Sequence, residues 1–176
     1  HVATLPPVLA GSLTPEVRER VEEFYSGVAE IFERWVRRCR SVHTRRSYRD
    51  GVMSFVRYLG LTWPGDASAL LTVSVADVQA FRDWLIGRGA APKTLNHRVS
   101  AVSSFYRYLA LCAAELRLPI VVPNPAHAQF IARASSDPRD ETLALPAARA
   151  RQLVNLPAGD SVLDYRDRTI IKLYLY

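Results

Sequence analysis

Apolar residues along the chain fall at helical spacing, and that pattern divides most of it into helices. Val17, Val21, Phe24, Val28, Ile31 and Trp35 recur at steps of four and three, which marks one face of a single helix. Thr14-Pro15-Glu16 supplies its start: a hydroxyl for the N-cap, a proline in the first turn and an acid behind it. A second helix opens near Ser41–Thr44, carries Tyr48, Val52, Phe55 and Leu59 inward, and stops at Gly60. Residues 61–71 read as a loop with a Trp63-Pro64-Gly65-Asp66 turn. Ser74 caps a third helix with Asp77 as the reciprocal partner; its face is Val78, Phe81 and Leu85, and Gly87 and Gly89 end it. A fourth helix opens at Pro92–Thr94 with Leu95, Val99, Val102, Tyr106 and Leu109 inward, and it extends toward Leu116. Pro119, Pro123 and Pro125 then interrupt regular structure.

Beyond the prolines the pattern weakens. Residues 129–134 suit a short helical turn, and 135–140 read as an exposed linker. Short helices follow over 147–156 and from Asp164 to the last residue, Tyr176, where no stop signal appears; we therefore expect a fragment. Residues 1–12 are apolar, proline-containing and aperiodic, and are expected to be an arm. No strand alternation, solenoid repeat or low-complexity tract is visible in the first 125 residues. The expected class is all-α.

Composition narrows the function. The chain has 176 residues, about half of them hydrophobic, with no apolar run of the ~20 residues that a membrane span needs. Residues 1–10 lack the basic and long apolar regions of a secretory signal. Cys39 and Cys112, both inside helical patterns, suit buried or half-buried thiols of a reduced, cytoplasmic protein. Net charge is +6, from 23 basic and 17 acidic residues. Its distribution matters more. Arg37, Arg38, Arg40, Arg45, Arg46 and Arg49 follow one another with no acid between, while Glu16, Glu19, Glu22, Glu23, Glu30 and Glu33 crowd the helix before them. One basic face suits a polyanionic partner.

Helical wheels locate that face. With the fourth helix's apolar residues inward, Lys93, His97, Ser100, Ser104 and Arg107 fall opposite, with no acid among them. In the second helix Arg46, Arg49 and Arg57 point outward, Arg45 lies at the flank, and Asp50 interrupts the face. Cations mixed with short hydrogen-bonding side chains suit a helix in a DNA groove, where free N–H groups at the helix start also meet phosphate. The plain alternative for each stripe is a solvated helix face. Histidine and cysteine spacing does not suit a metal site, and no nucleotide loop, Gly-x-Ser-x-Gly or Cys/His pairing appears, so no cofactor is expected.

The order of these features resembles the tyrosine recombinase (phage integrase) family. SVHTRRSYRDGVMSFVRYLG (residues 41–60) is similar to its first DNA-facing helix; VADVQAFRDWL (75–85), Gly89 and KTLNHRVSAVSSFYRYL (93–109) are similar to the next two helices; Asn124-Pro125 matches the pair that closes the module. LPAARARQLV (145–154) and DYRDRTIIKLYLY (164–176) resemble the opening of the catalytic domain. The resemblance implies a SAM-like core-binding bundle of four to five helices over residues 14–125, after an arm at 1–13. A linker at 126–142 and the truncated start of a catalytic domain at 143–176 would follow. It also implies a parent enzyme that cuts and rejoins duplex DNA at specific sites through a 3′-phosphotyrosyl intermediate, as dimers to tetramers of protomers on DNA, without metal or cofactor. Residues matching the family's DNA-contacting positions are Thr44, Arg45, Arg46 and Arg49, then Lys93, Thr94, His97 and Arg98; Ser100 and Arg107 join them from the wheel. In relatives the first catalytic arginine follows a Thr-Gly just beyond the helix that ends here. No catalytic position is carried over, and the fragment is expected to be inactive alone. Arg166, Arg168, Lys172, Tyr174 and Tyr176 receive no catalytic role. The competing readings are a stand-alone helical DNA-binding regulator and a helical domain that binds protein through its apolar arm.

Overall fold

A computed structural model describes residues 14–135, 146–157 and 159–175. The expected arm, and residues 136–145 of the expected linker and catalytic opening, lie outside the described residues. No strand occurs among the described residues, and the chain is all-α. It divides into two compact units at Ser135/Ser136.

The first unit opens with α1 (Pro15–Ser26), capped by the Thr14 hydroxyl accepting from the Val17 N–H at 3.4 Å, and continues as α2 (Val28–Arg37). The single helix expected over this stretch is broken at Gly27. Apolar spacing runs through the break unchanged, so it gave no sign of it. The cause is local: the Ser26 hydroxyl donates to the carbonyls of Glu22 and Glu23, both at 3.0 Å, which competes with the helical ladder just before a glycine. The expected inner face survives the kink, with Val21, Phe24, Val28, Ile31 and Trp35 all buried.

Next come α3 (Val42–Tyr58), α4 (Val75–Gly87) and α5 (Pro92–Glu115). Residues 61–71, expected as a loop, instead lead through a turn into a 3₁₀ helix (Ala67–Thr72) that buries Ala67, Leu70 and Leu71. Its Leu70 carbonyl accepts from the buried Tyr106 hydroxyl at 2.6 Å, which ties it to α5. Ser74 and Asp77 form the expected capping box on α4.

The core centres on aromatic rings of α2, α3, α4 and α5. Phe32 meets Phe105 edge-on with centroids 5.4 Å apart, Trp35 lies 5.3 Å from Phe105, and Phe55 lies 5.0 Å from Phe81. All these rings are buried, and truncating any one of them is expected to cost about 3–5 kcal/mol.

Three helices end alike. The second amide beyond the C-cap reaches back to the carbonyl five residues earlier: Leu61 to Val56 (3.2 Å), Ala90 to Leu85 (3.0 Å) and Leu118 to Ala113 (3.0 Å). The residue in the left-handed conformation is Gly60, Gly89 and, at the end of α5, Arg117 with φ 49°.

The chain after α5 stays on the bundle. Leu118, Ile120, Val122, Ala126 and Ile131 are buried. The Asn124 amide donates to the Ser103 hydroxyl at 3.0 Å, while its carbonyl accepts from the Ala126 N–H at 3.1 Å. Asn96 on α5 pairs with Ala134 in both directions, at 2.8 and 2.9 Å. Packing therefore reaches Ala134, the ninth residue of the stretch read as linker.

The second unit holds α6 (Ala147–Asn155) and α7 (Val162–Leu175). Ser161 and Asp164 cap α7 reciprocally, and the Ser161 hydroxyl holds the Asp164 carboxyl below the usual carboxylate range.

Candidate nucleic-acid interface

The starts of α3 and α5 differ from those of α1 and α4. The latter carry a side-chain cap and an acid in the first turn. Neither α3, beginning after Ser41, nor α5, beginning after Ala91, has either. The amides of the first turn, which on α5 begin at Lys93 because Pro92 has no N–H, therefore keep their donors and leave the positive end of the helix dipole uncompensated.

The α3–α5 packing brings these ends together. The Ser47 hydroxyl lies 2.7 Å from His97 Nε2, and the Tyr48 ring meets the imidazole edge-on at 5.9 Å. One turn further along α3, Gly51 packs against Ala101.

The residues singled out from the sequence fall into separate groups. Thr44, Arg46, Lys93, Thr94 and Arg107 are exposed. Arg46 makes only a loose pair with Asp50, 3.8 Å away at the surface, an interaction worth little in water. Lys93 and Arg107 have no hydrogen bond or ion pair among the described residues. Arg98 is half-buried and equally unpaired.

The others are engaged within the bundle, and here the wheel needs correction. Arg49 is half-buried: its guanidinium donates to Glu33 on α2 at 2.5 Å and lies over the Phe32 ring. Arg45 donates to the Cys39 carbonyl at 2.6 Å, folding back over the start of its own helix. His97, placed outward by the wheel, faces α3, because α3 packs along the flank of α5 that carries His97 and Ala101. The Ser100 hydroxyl donates to the Asn96 carbonyl at 2.6 Å and accepts from Arg133. Ser104 is buried rather than outward and floors a shallow concavity with Arg38, Arg107 and Tyr108.

Sequence reading passed over Arg38, Arg88 and Arg133, which add cations around the same helices. Arg88 sits between Gly87 and Gly89, which were read only as a stop signal. Arg133 lay in the stretch read as linker. Arg38 belonged to the arginine run, but its place beside α5 depends on a contact between distant segments, with Tyr108.

No group of histidine, cysteine, aspartate or glutamate among the described residues is arranged to hold a metal ion. None of the described helices is long and apolar enough to cross a membrane.

Residues 33–111, from within α2 to within α5, match the family described as phage integrase, N-terminal SAM-like domain. The tyrosine recombinases XerC of Xanthomonas campestris pv. campestris strains B100 and 8004 are each 30% identical to this chain over 134 residues, 76% of its length. The same figures hold for XerC of strain ATCC 33913. The matched region spans 38% of the length of these relatives. No solved structure matches the chain. The matched segment and the 30% identity place residues 33–111 of the chain in the tyrosine recombinase (phage integrase) family.

Proposed function

We propose that this chain grips duplex DNA with the starts of α3 and α5, on behalf of a site-specific recombinase. The observation that carries the reading is the pairing of two uncapped, acid-free helix starts, held side by side by Ser47 and His97. Free amides and the helix dipole favour phosphate there. Arg46, Lys93 and Arg98 supply mobile counter-charge, and Thr44 and Thr94 supply short hydrogen-bonding groups.

Arg45, Arg49, His97 and Ser100 act differently in this reading. Their internal bonds hold the two helices in register, so they position the grip and meet DNA only with the atoms left over. Residues 14–134 form the gripping module, and α6 and α7 open the catalytic domain. The parent protein, assembled with further protomers on DNA, would break and rejoin strands through a tyrosine nucleophile and a 3′-phosphotyrosyl link.

The test is fluorescence anisotropy of a labelled duplex with the full chain. Arg46→Ala with Lys93→Ala is expected to weaken binding about five- to thirtyfold, at about 1–2 kcal/mol for lost phosphate contacts. Both side chains are exposed, so the fold should persist. Unchanged affinity would remove these helix starts from the interface.

A further inference from the structure

A concavity opens between the second half of α3, the end of α4 and the early turns of α5, lined by Ser54, Arg57, Tyr58, Trp84, Arg88 and Arg98. No carboxylate lines it. None of its three arginines has a hydrogen bond or ion pair among the described residues, in a first unit where Arg46, Arg49 and Arg82 each have an acid beside them. Guanidinium groups gathered without a counter-charge repel one another, and a bound anion relieves that repulsion.

The walls are built for a planar fork. The Arg88 guanidinium lies over the Trp84 ring at 5.0 Å. Trp84 is itself fixed by Tyr58 at 5.3 Å and by stacking on Phe81 at 6.0 Å. Arg88 therefore surrenders little freedom on binding, and arginine forks match the oxygens of a phosphate.

One further donor lines the hollow, the Ser54 hydroxyl. Ser54 is 6% exposed, yet its hydroxyl has no partner among the described residues. Ser26 and Ser100, also in helices, turn their hydroxyls back onto carbonyls four residues earlier. The Ser54 hydroxyl makes no such bond and stays open to the arginine-rimmed hollow, where it can donate to a bound oxygen.

We propose that Arg57, Arg88 and Arg98, with the Ser54 hydroxyl, clamp one backbone phosphate of the duplex held by α3 and α5. The clamp rests on the DNA-binding reading and adds to it a contact indifferent to base sequence, because phosphate carries no sequence information.

The test uses the full chain and Arg57→Gln with Arg88→Gln, both at exposed positions. Duplex affinity is measured against salt for two unrelated sequences, and the Trp84 indole N–H is followed by NMR during titration with inorganic phosphate. The clamp predicts a log–log salt slope smaller by about 1 in the double variant, with equal loss on both duplexes. It also predicts a saturable Trp84 shift with phosphate that the variant lacks. Duplex binding with an unchanged slope in the variant overturns the clamp and leaves the DNA reading standing. A wild-type chain that binds no duplex overturns both. A Trp84 signal that answers to a polyglutamate peptide and not to phosphate assigns the hollow to an acidic protein partner and overturns the clamp.

Discussion

A methyl group on Gly51 of α3 would lie 2.7 Å from the Cβ of Ala101 on α5, closer than two carbons can sit. The helices that carry the candidate interface touch through a hydrogen atom on one side and a methyl on the other. Gly51→Ala is therefore expected to force them apart, at about 1–3 kcal/mol of stability. Ala101→Gly should return much of that loss in the double variant. Chemical denaturation of the single and double variants checks this, and additive effects would remove the contact from the account.

Arg49 is committed to Glu33 at 2.5 Å, so part of the positive charge near the α3 start is neutralised within the bundle. Glu33→Gln should release the guanidinium. Duplex affinity is expected to rise several-fold with a steeper salt slope, while stability falls by no more than about 1 kcal/mol, since both side chains are partly in water. Anisotropy titrations at several salt concentrations measure it.

Tyr106 donates to the Leu70 carbonyl from within the core. Tyr106→Phe leaves that carbonyl without its donor and should cost about 1–2 kcal/mol near neutral pH. Burial, with the Asp77 charge adding to it, pushes the Tyr106 phenol far above its ordinary value of 10.0, and burial pushes Tyr25 up to about 12. Above pH 10 the unfolded chain loses these protons while the folded chain keeps them, so stability should fall as pH rises past 10. Thermal melts between pH 8 and pH 11, on the order of these pKa values, should show a smaller alkaline loss in the Phe variant.

Arg117 occupies the left-handed position that Gly60 and Gly89 fill at the other helix ends. Its side chain makes no hydrogen bond or ion pair among the described residues. Arg117→Gly should therefore stabilise the chain by about 1 kcal/mol, read as a raised melting temperature.

The elements above show where sequence reasoning reached and where it stopped. Helical periodicity and caps are written in neighbouring residues, so the faces of α3, α4 and α5 and the Ser74–Asp77 box were legible. The kink at Gly27 was not, because the serine hydroxyl that causes it leaves the apolar spacing intact. The 3₁₀ helix was hidden because Leu70 and Leu71 enter the core from a turn too short to show a period. His97 was misplaced because a wheel assigns one inner face, whereas α5 has a neighbour on more than one side. Ser54 and Arg88 share the lining of a hollow with residues distant in sequence, and Arg133 bonds to Asn96 and Ser100, relationships that no local pattern records.

Amide chemical-shift mapping of the full chain with a short duplex tests the central claim most directly. The account predicts the largest shifts at Thr44, Arg46, Lys93 and Thr94, and little change along the glutamate-rich face of α1. Shifts confined to α1, or absent from the starts of α3 and α5 while the duplex is bound, would contradict it.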